Sequence, residues 1–411
     1  MKHYILILAL LLSTVSSYAA KLVVEAGGSG GAYTTIQAAI DASVPGDQIY
    51  VYPGYYGTFS INTGGISILA ALAGERYTLT STYFINSITA PVHISNAEIS
   101  DASFTTAFAG PTSPQAVYFT DCKIMGYANI SLSVYENFIV YARADTFEGT
   151  SRISLAHGEV SGCYFKDNSS LGVYEVSNGT TLTGDIVKII GNKFVDRSSV
   201  GTSTSPNLTH ALLYVEGNYF NNPTTPSVYF SSSYFNATAV NTFVNNTFVC
   251  TASAVNYESL GIAYTTGNMS KTNILNNVFI SAAGHHSIGN YQNQGLPPGS
   301  LIDYNIFSES STSSFNGGVV ATGTNNIYST TAAINSSTGA VTSGPGIDAG
   351  HPNPIYYDLD KTRNDMGCYG GSYSRANFDN TDNGSRVLML KAPRVILSGN
   401  SATIQADGLA K

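Results

Sequence analysis

Between Tyr33 and Ile61 the hydrophobic pattern of the chain changes period once. Ile36, Ala39 and Ile40 fall on one face at helical spacing, and Ala38 and Ala39 favour a helix. Thr34 followed by Gln37 has the spacing of a capping box. A short amphipathic helix is therefore expected over 34–43. Pro45-Gly46-Asp47 ends it with turn chemistry. Ile49-Tyr-Val-Tyr52 then has the composition of a strand, Pro53-Gly54 that of a turn, and Thr58 to Ile61 opens the next strand. No helical pattern of that quality returns over the next three hundred or so residues.

What returns instead is one short phrase. Ile190-Gly-Asn192-Lys-Phe194 is followed by Glu216-Gly-Asn218-Tyr-Phe220, Val244-Asn-Asn246-Thr-Phe248 and Leu275-Asn-Asn277-Val-Phe279. Asp303-Tyr-Asn305-Ile-Phe307 and Thr324-Asn-Asn326-Ile-Tyr328 complete the run. Weaker copies come earlier, with Cys163 before Phe165, Asp145 before Phe147 and Cys122 before Ile124. The step between copies varies around roughly 25 residues, which is the behaviour of a β-solenoid whose turns swell without disturbing the stack. The marked Asn suits a left-handed corner and a ladder of stacked amides. The aromatic two positions on points to the same side and is expected to stack in the core. The helix at 34–43 is then a lid for the first coil, covering an edge that would otherwise invite association. Because the mark at 145 lies between Cys122 and Cys163, those two should sit two coils apart, as free thiols.

Composition adds a compartment. Lys2 and His3 precede an apolar run from Ile5 to Leu12, and Ser17 and Ala19 suit cleavage before Ala20. Residues 1–19 are thus expected as a signal peptide, too short to span a bilayer, on a secreted, extracellular chain with no transmembrane segment. Charged residues make up 11% of the chain and the formal net charge is −8, a balance that argues against nucleic acid as a partner.

YTTIQAAIDASVPGDQIYVYPGYY resembles the N-terminal signature of the pectin lyase-like superfamily of secreted right-handed parallel β-helices. With the Asn repeats the resemblance covers roughly residues 22 to 345. It implies an all-β fold: a single-stranded right-handed parallel β-helix over 20–345 with an N-terminal helical cap. Residues 346–411 are then a C-terminal cap or short β appendage. The tail GPGIDAGHPNPIYYDLDKTRNDMGCYGG is similar to the endings of secreted bacterial β-helix proteins, so a bacterial source is expected.

Over about 33–165 the chain also resembles pectinesterases. Gln115-Ala-Val117 is similar to their QAV motif, Cys122-Lys-Ile-Met-Gly-Tyr127 to their CxFxGY phrase and Phe147-Glu-Gly-Thr150 to their IEGT phrase. The positions at which that family carries its catalytic Asp residues hold Asn129 and Arg152 here, and its Trp-Gly-Arg motif is missing from a chain without Trp. An amide is no carboxyl acid and a guanidinium no nucleophile, so pectinesterase activity is not expected.

Basic residues gather at Arg143, Arg152, Lys166, Lys188, Lys193 and Arg197, whereas Lys271 stands alone from 198 to 360. They read either as a patch for an acidic sugar or as solvated charges interleaved with Asp145, Glu148, Glu159, Asp167, Asp185 and Asp196. His285-His286 has a spacing that sends adjacent rings to opposite faces of a strand, which argues against a metal site. Asp358 to Asp365 has the oxygen density of a calcium loop but places Arg363 where an EF-hand loop needs Gly, so Asx-turns are the favoured reading. The 28 Tyr residues suit either sugar stacking or ladders within strands.

Two function classes follow. One is a non-catalytic surface or matrix protein that binds extracellular polysaccharide or a cell-surface glycan. The other is a carbohydrate-active enzyme, a polysaccharide lyase acting on uronate-containing polymers. In the second, Arg143, Arg152, His157 and Lys166 are the catalytic candidates, and Lys188, Lys193 and Arg197 bind substrate. No metal ligand set is assigned; calcium enters with the lyase reading and with the less favoured reading of Asp358 to Asp365 as a calcium loop.

Overall fold

The computed structural model describes residues 19–106, 111–132, 137–173, 186–202, 212–222, 227–231, 240–250, 258–263, 270–291, 293–330, 332–379, 386–391 and 405–409. The expected export segment, apart from Ala19, lies outside them. Each coil lays down three short strands, and each strand pairs in parallel with its counterpart in the next coil. The result is three parallel sheets of 12, 11 and 11 strands, called A, B and C here in the order the chain visits them. In one coil Val92–Ser95 joins A, Ala97–Ser100 joins B and Ser103–Thr105 joins C. Inward positions alternate with outward ones, so Val92, Ile94, Ala97, Ile99 and Phe104 are fully buried while His93 is exposed. Crossovers between parallel strands of one sheet are right-handed, and the chain winds as the expected right-handed solenoid.

Each position of the repeated phrase has one task. The second residue turns the A–B corner in the left-handed region, with φ of 62° at Gly191, 68° at Gly217, 53° at Asn245, 58° at Asn276 and 54° at Tyr304. The corner therefore belongs to the residue before the marked Asn, not to the marked Asn as expected. The marked side chain is turned inward for another purpose. Asn218 donates Nδ2–H to Asn246 Oδ1 at 3.0 Å, Asn246 to Asn277 at 2.9 Å and Asn277 to Asn305 at 3.0 Å. Each Nδ2 also reaches a carbonyl of the preceding coil, as Asn246 does at Val215 O, 2.9 Å away. Buried amides are tolerated because they are paired in this way. The fifth residue supplies the aromatic stack: Phe147, Phe165, Phe194, Phe220, Phe248, Phe279 and Phe307 lie 4.4–5.1 Å apart, and Tyr328 follows at 5.3 Å.

Cys122, Asp145 and Cys163 occupy the inner position in earlier coils. Cys122 N donates to Asp145 Oδ1 at 2.7 Å and Cys163 N to Asn192 Oδ1 at 2.8 Å. Cys122 and Cys163 are two rungs apart, and all four cysteines are buried free thiols.

Helix α1, Ile36–Ala42, buries Ile36, Ala39 and Ile40 on the first coil. Its N-cap is Thr35 rather than Thr34, with Oγ1 accepting the Ala38 N–H at 3.1 Å. Gln37 does not reach back to the cap. Its Oε1 accepts the Ser60 N–H at 2.7 Å and its Nε2 donates to Ser60 O at 3.3 Å. Ser60–Ile61 is the end strand of sheet C, so one side-chain amide pairs with an edge that has no neighbouring strand.

After the last rung, at Asn326, the chain reverses. The stretch expected from 346 as a cap or short appendage runs back along the outside of sheet B and the A–B corner as far as Asp379. Gly367 N donates to Asn276 O at 2.8 Å, Asn245 Nδ2 to Asp365 O at 2.8 Å and Arg375 Nη1 to Gly191 O at 2.8 Å. Met366 and Ala332 build a second small core with the outward Val278 and Ile306. Beyond this strap, Arg386–Lys391 and Gln405–Leu409 form an antiparallel hairpin.

Candidate functional surfaces

Parallel stacking in register places equivalent side chains about 4.8 Å apart, so each outer face carries lines of side chains, one per coil. On sheet A, His93, Tyr118, Tyr141, Glu159, Lys188 and Tyr214 form one such line. The His93 and Tyr118 rings stack at 4.3 Å and 3°, and those of Tyr118 and Tyr141 at 4.7 Å and 9°. In the next outward row the Arg143 guanidinium carbon lies 5.2 Å from the Tyr118 ring centroid and 4.9 Å from that of Tyr141, a cation–π clamp over both. These tyrosines take the ladder reading. Their facing ring surfaces are covered by each other, and what remains outward is a row of ring edges.

Sheet B carries charge. Lys123 and Lys166 flank Glu148 at 3.6 and 3.0 Å. The hydrogen bond that its ammonium donates to Glu148 holds Lys166 above its ordinary pKa, the wrong direction for a general base. Lys193 Nζ lies 5.1 Å from the Tyr164 ring centroid. Burial, and then the nearby Arg375, lower the pKa of Lys193.

On sheet C, Asn129 and Arg152 face each other across adjacent strands. The two positions that the pectinesterase resemblance singles out are therefore neighbours in space. Burial lowers the Arg152 pKa, and Asn129 Oδ1 is buried without a hydrogen-bond partner. Gln115 opens a strand of sheet A, where its amide donates to Ser113 Oγ at 3.2 Å.

The candidate residues are thus spread around the coil. Arg143 and Lys188 share sheet A, Lys166 and Lys193 lie along the sheet B side, and Arg152 is on sheet C. His157 sits at the C–A corner between Leu155 and Gly158, and Arg197 is an exposed residue of the B–C turn. Elsewhere, His285 is buried with Nδ1 3.7 Å from Cys250 Sγ, while His286 points Nδ1 at Ser313 O, 2.7 Å away. Asp360 accepts the N–H of Thr362 two residues on, an Asx-turn, whereas Asp358 accepts the N–H groups of Asp365 and Gly371 and so ties together more distant parts of the loop. Among the described residues no three His, Cys, Asp or Glu side chains gather as a metal site, and no helix is long and apolar enough to cross a membrane.

The sequence reading missed a cluster on the outer side of sheet C. Asn316 Nδ2 donates to the buried Glu258 Oε1 at 3.0 Å, and the Tyr229 and Tyr291 rings meet edge to face at 5.3 Å. A Cβ on Gly261 would lie 2.6 Å from the Tyr291 ring. The glycine is the sequence signal for that close approach, and it carries no periodicity by which to notice it.

Three strands per coil in three parallel sheets, a left-handed residue at the A–B corner and an inner amide ladder define a right-handed parallel β-helix. No family model matches the chain, and no curated protein matches it. Among solved structures it is similar to pectate lyase Pel9A, at 15% sequence identity and a TM-score of 0.35, over 87% of this chain and 97% of that one.

Proposed function

We propose that the protein is a secreted, non-catalytic β-helix that binds an extracellular polysaccharide along its outer face. The observation that supports this reading is linear: His93, Tyr118, Tyr141, Glu159, Lys188 and Tyr214 follow one another in register along sheet A. A line of hydrogen-bonding and charged groups suits a linear polymer lying along the solenoid axis. Catalysis asks for convergence of an acid, a base or a nucleophile within hydrogen-bond reach of one reacting atom. Arg143, Arg152, His157 and Lys166 lie on different sides of the coil.

Affinity electrophoresis through gels containing single neutral or uronate polysaccharides tests this reading. At least one polymer should retard the protein, and Tyr118→Ala with Tyr141→Ala should weaken retardation several-fold. Uronate polymers incubated with the protein and calcium should show no rise in ultraviolet absorbance. A calcium-dependent rise abolished by Arg143→Ala would replace binding with the lyase reading, and no retardation by any polymer would remove both.

A further inference from the structure

From Asn192 to Asn326 every rung of the inner ladder is an amide, but Asp145 holds the same place with a carboxyl group. It is 1% exposed. Its Oδ1 accepts the Cys122 N–H at 2.7 Å, and its Oδ2 is buried with no hydrogen-bond partner. At an asparagine rung the corresponding atom donates twice, as Asn192 Nδ2 does to Val160 O at 2.8 Å and to Asn218 Oδ1 at 3.0 Å. An ionised carboxylate has no proton with which to donate.

Among the described residues, nothing facing Asp145 supplies a dedicated counter-charge. The rungs on either side are Cys122 and Cys163, thiols that burial keeps protonated. Asp121 brings like charge. Arg76 is committed to Asp121, through a hydrogen bond to its carbonyl and a 3.1 Å ion pair with Oδ1. Arg143, two residues earlier, lies over Tyr118 and Tyr141 on the outer face.

We propose that Asp145 is an uncharged carboxylic acid in the folded protein, and that its ionisation opens the surrounding coils and unmasks Cys122 and Cys163. The solenoid then carries a pH-sensitive latch in its wall. Burial pushes the Asp145 pKa well above the usual carboxylate range, and the charge of Asp121 adds to this. A folded pKa above the unfolded one means that the stability it contributes is fully present below the unfolded aspartate value. That stability is lost as pH rises toward the folded value.

Asp145→Asn supplies the missing donor and removes the titration. From about pH 4 to about pH 9, a range that starts near the ordinary aspartate pKa, the melting temperature of the variant should pull steadily ahead of the native protein, from near equality in acid. Over the same range, labelling of Cys122 and Cys163 in the native protein should rise faster with pH than labelling of the buried Cys368, and the variant should lose that excess. Parallel melting profiles, or labelling that tracks Cys368, would overturn the proposal. Carbon-13 NMR of aspartate carboxyls needs only the native chain: one resonance should stay at the protonated position at neutral pH. A full set of ionised carboxylates there would overturn it equally.

Discussion

Phe378 lies where a side chain on Gly191 would have to be: a Cβ built there falls 2.1 Å from the phenyl ring. Gly191 also has φ of 62°, a left-handed conformation that costs an L-residue with a Cβ about 1–2 kcal/mol. Gly191→Ala should therefore cost more than strain alone, about 2–3 kcal/mol once the strap is displaced. Gly57→Ala meets nothing within 4 Å and should stay within about 0.5 kcal/mol of the native protein. Urea denaturation of the two variants checks the contrast.

The amide ladder predicts a gradient along the solenoid. Asn246→Ala removes bonds to Val215 O, Val244 O and Asn277 Oδ1 and strands the N–H of Asn218. With each buried unpaired polar group costing about 1–3 kcal/mol, a loss of about 3 kcal/mol or more is expected. Asn326→Ala, at the half-buried final rung, should cost about 1 kcal/mol. Equal losses at the two rungs would mean that the ladder is incidental to stability.

At the other end, Ile36 and Ile40 are 2% and 5% exposed beneath helix α1. Changing both to Asp removes roughly 2 kcal/mol of burial per side chain and places two carboxylates on the first coil. Aggregation on mild heating is the expected result, read by light scattering. A double variant as soluble and heat-resistant as the native protein would remove the plug role from the helix.

Within the strap, burial pushes the Asp358 carboxyl up to about 6, and the charges of Asp365 and Asp360 add to it while backbone N–H groups pull the other way. A raised folded pKa contributes stability below the unfolded value near 4, which is lost as pH rises through about 6. Since the group is half-buried, the strap should be weaker at neutral pH than in mild acid by about 1 kcal/mol. Amide exchange at Gly367 and Gly371, corrected for the intrinsic pH dependence of exchange, measures it.

Asn129 and Arg152 face each other with neither carboxylate of an esterase between them. The purified protein should release no methanol from methylated pectin above a buffer control, because acid–base and covalent catalysis are lost together. Release abolished by Arg152→Ala would contradict the match of those two positions.

The solenoid was legible because its physics is local and repeats. The Asn and Phe of each phrase recur at fixed offsets, and the structure puts each where a ladder or a stack needs it. The residue before each Asn was harder to read. Gly191 and Gly217 look like ordinary corner glycines, and only the returning strap shows why nothing larger fits. Gln37 misled for a similar reason: its spacing matched a capping box, yet an unpaired strand edge 23 residues on was the stronger acceptor and donor. Surface lines such as His93-Tyr118-Tyr141 come from coils of unequal length, so no fixed spacing announces them.

An array of stacked repeats can in principle begin to fold anywhere and spread to its neighbours. The strap alters that for this chain. Residues 364 to 378 reach back to corners between Gly162 and Asn276, contacts separated by roughly one to two hundred positions along the sequence. Coils completed early in synthesis therefore wait for the last part of the chain before their corners are covered. Such distant closure slows folding, and it should turn fraying of the C-terminal coils, one at a time, into a single cooperative event.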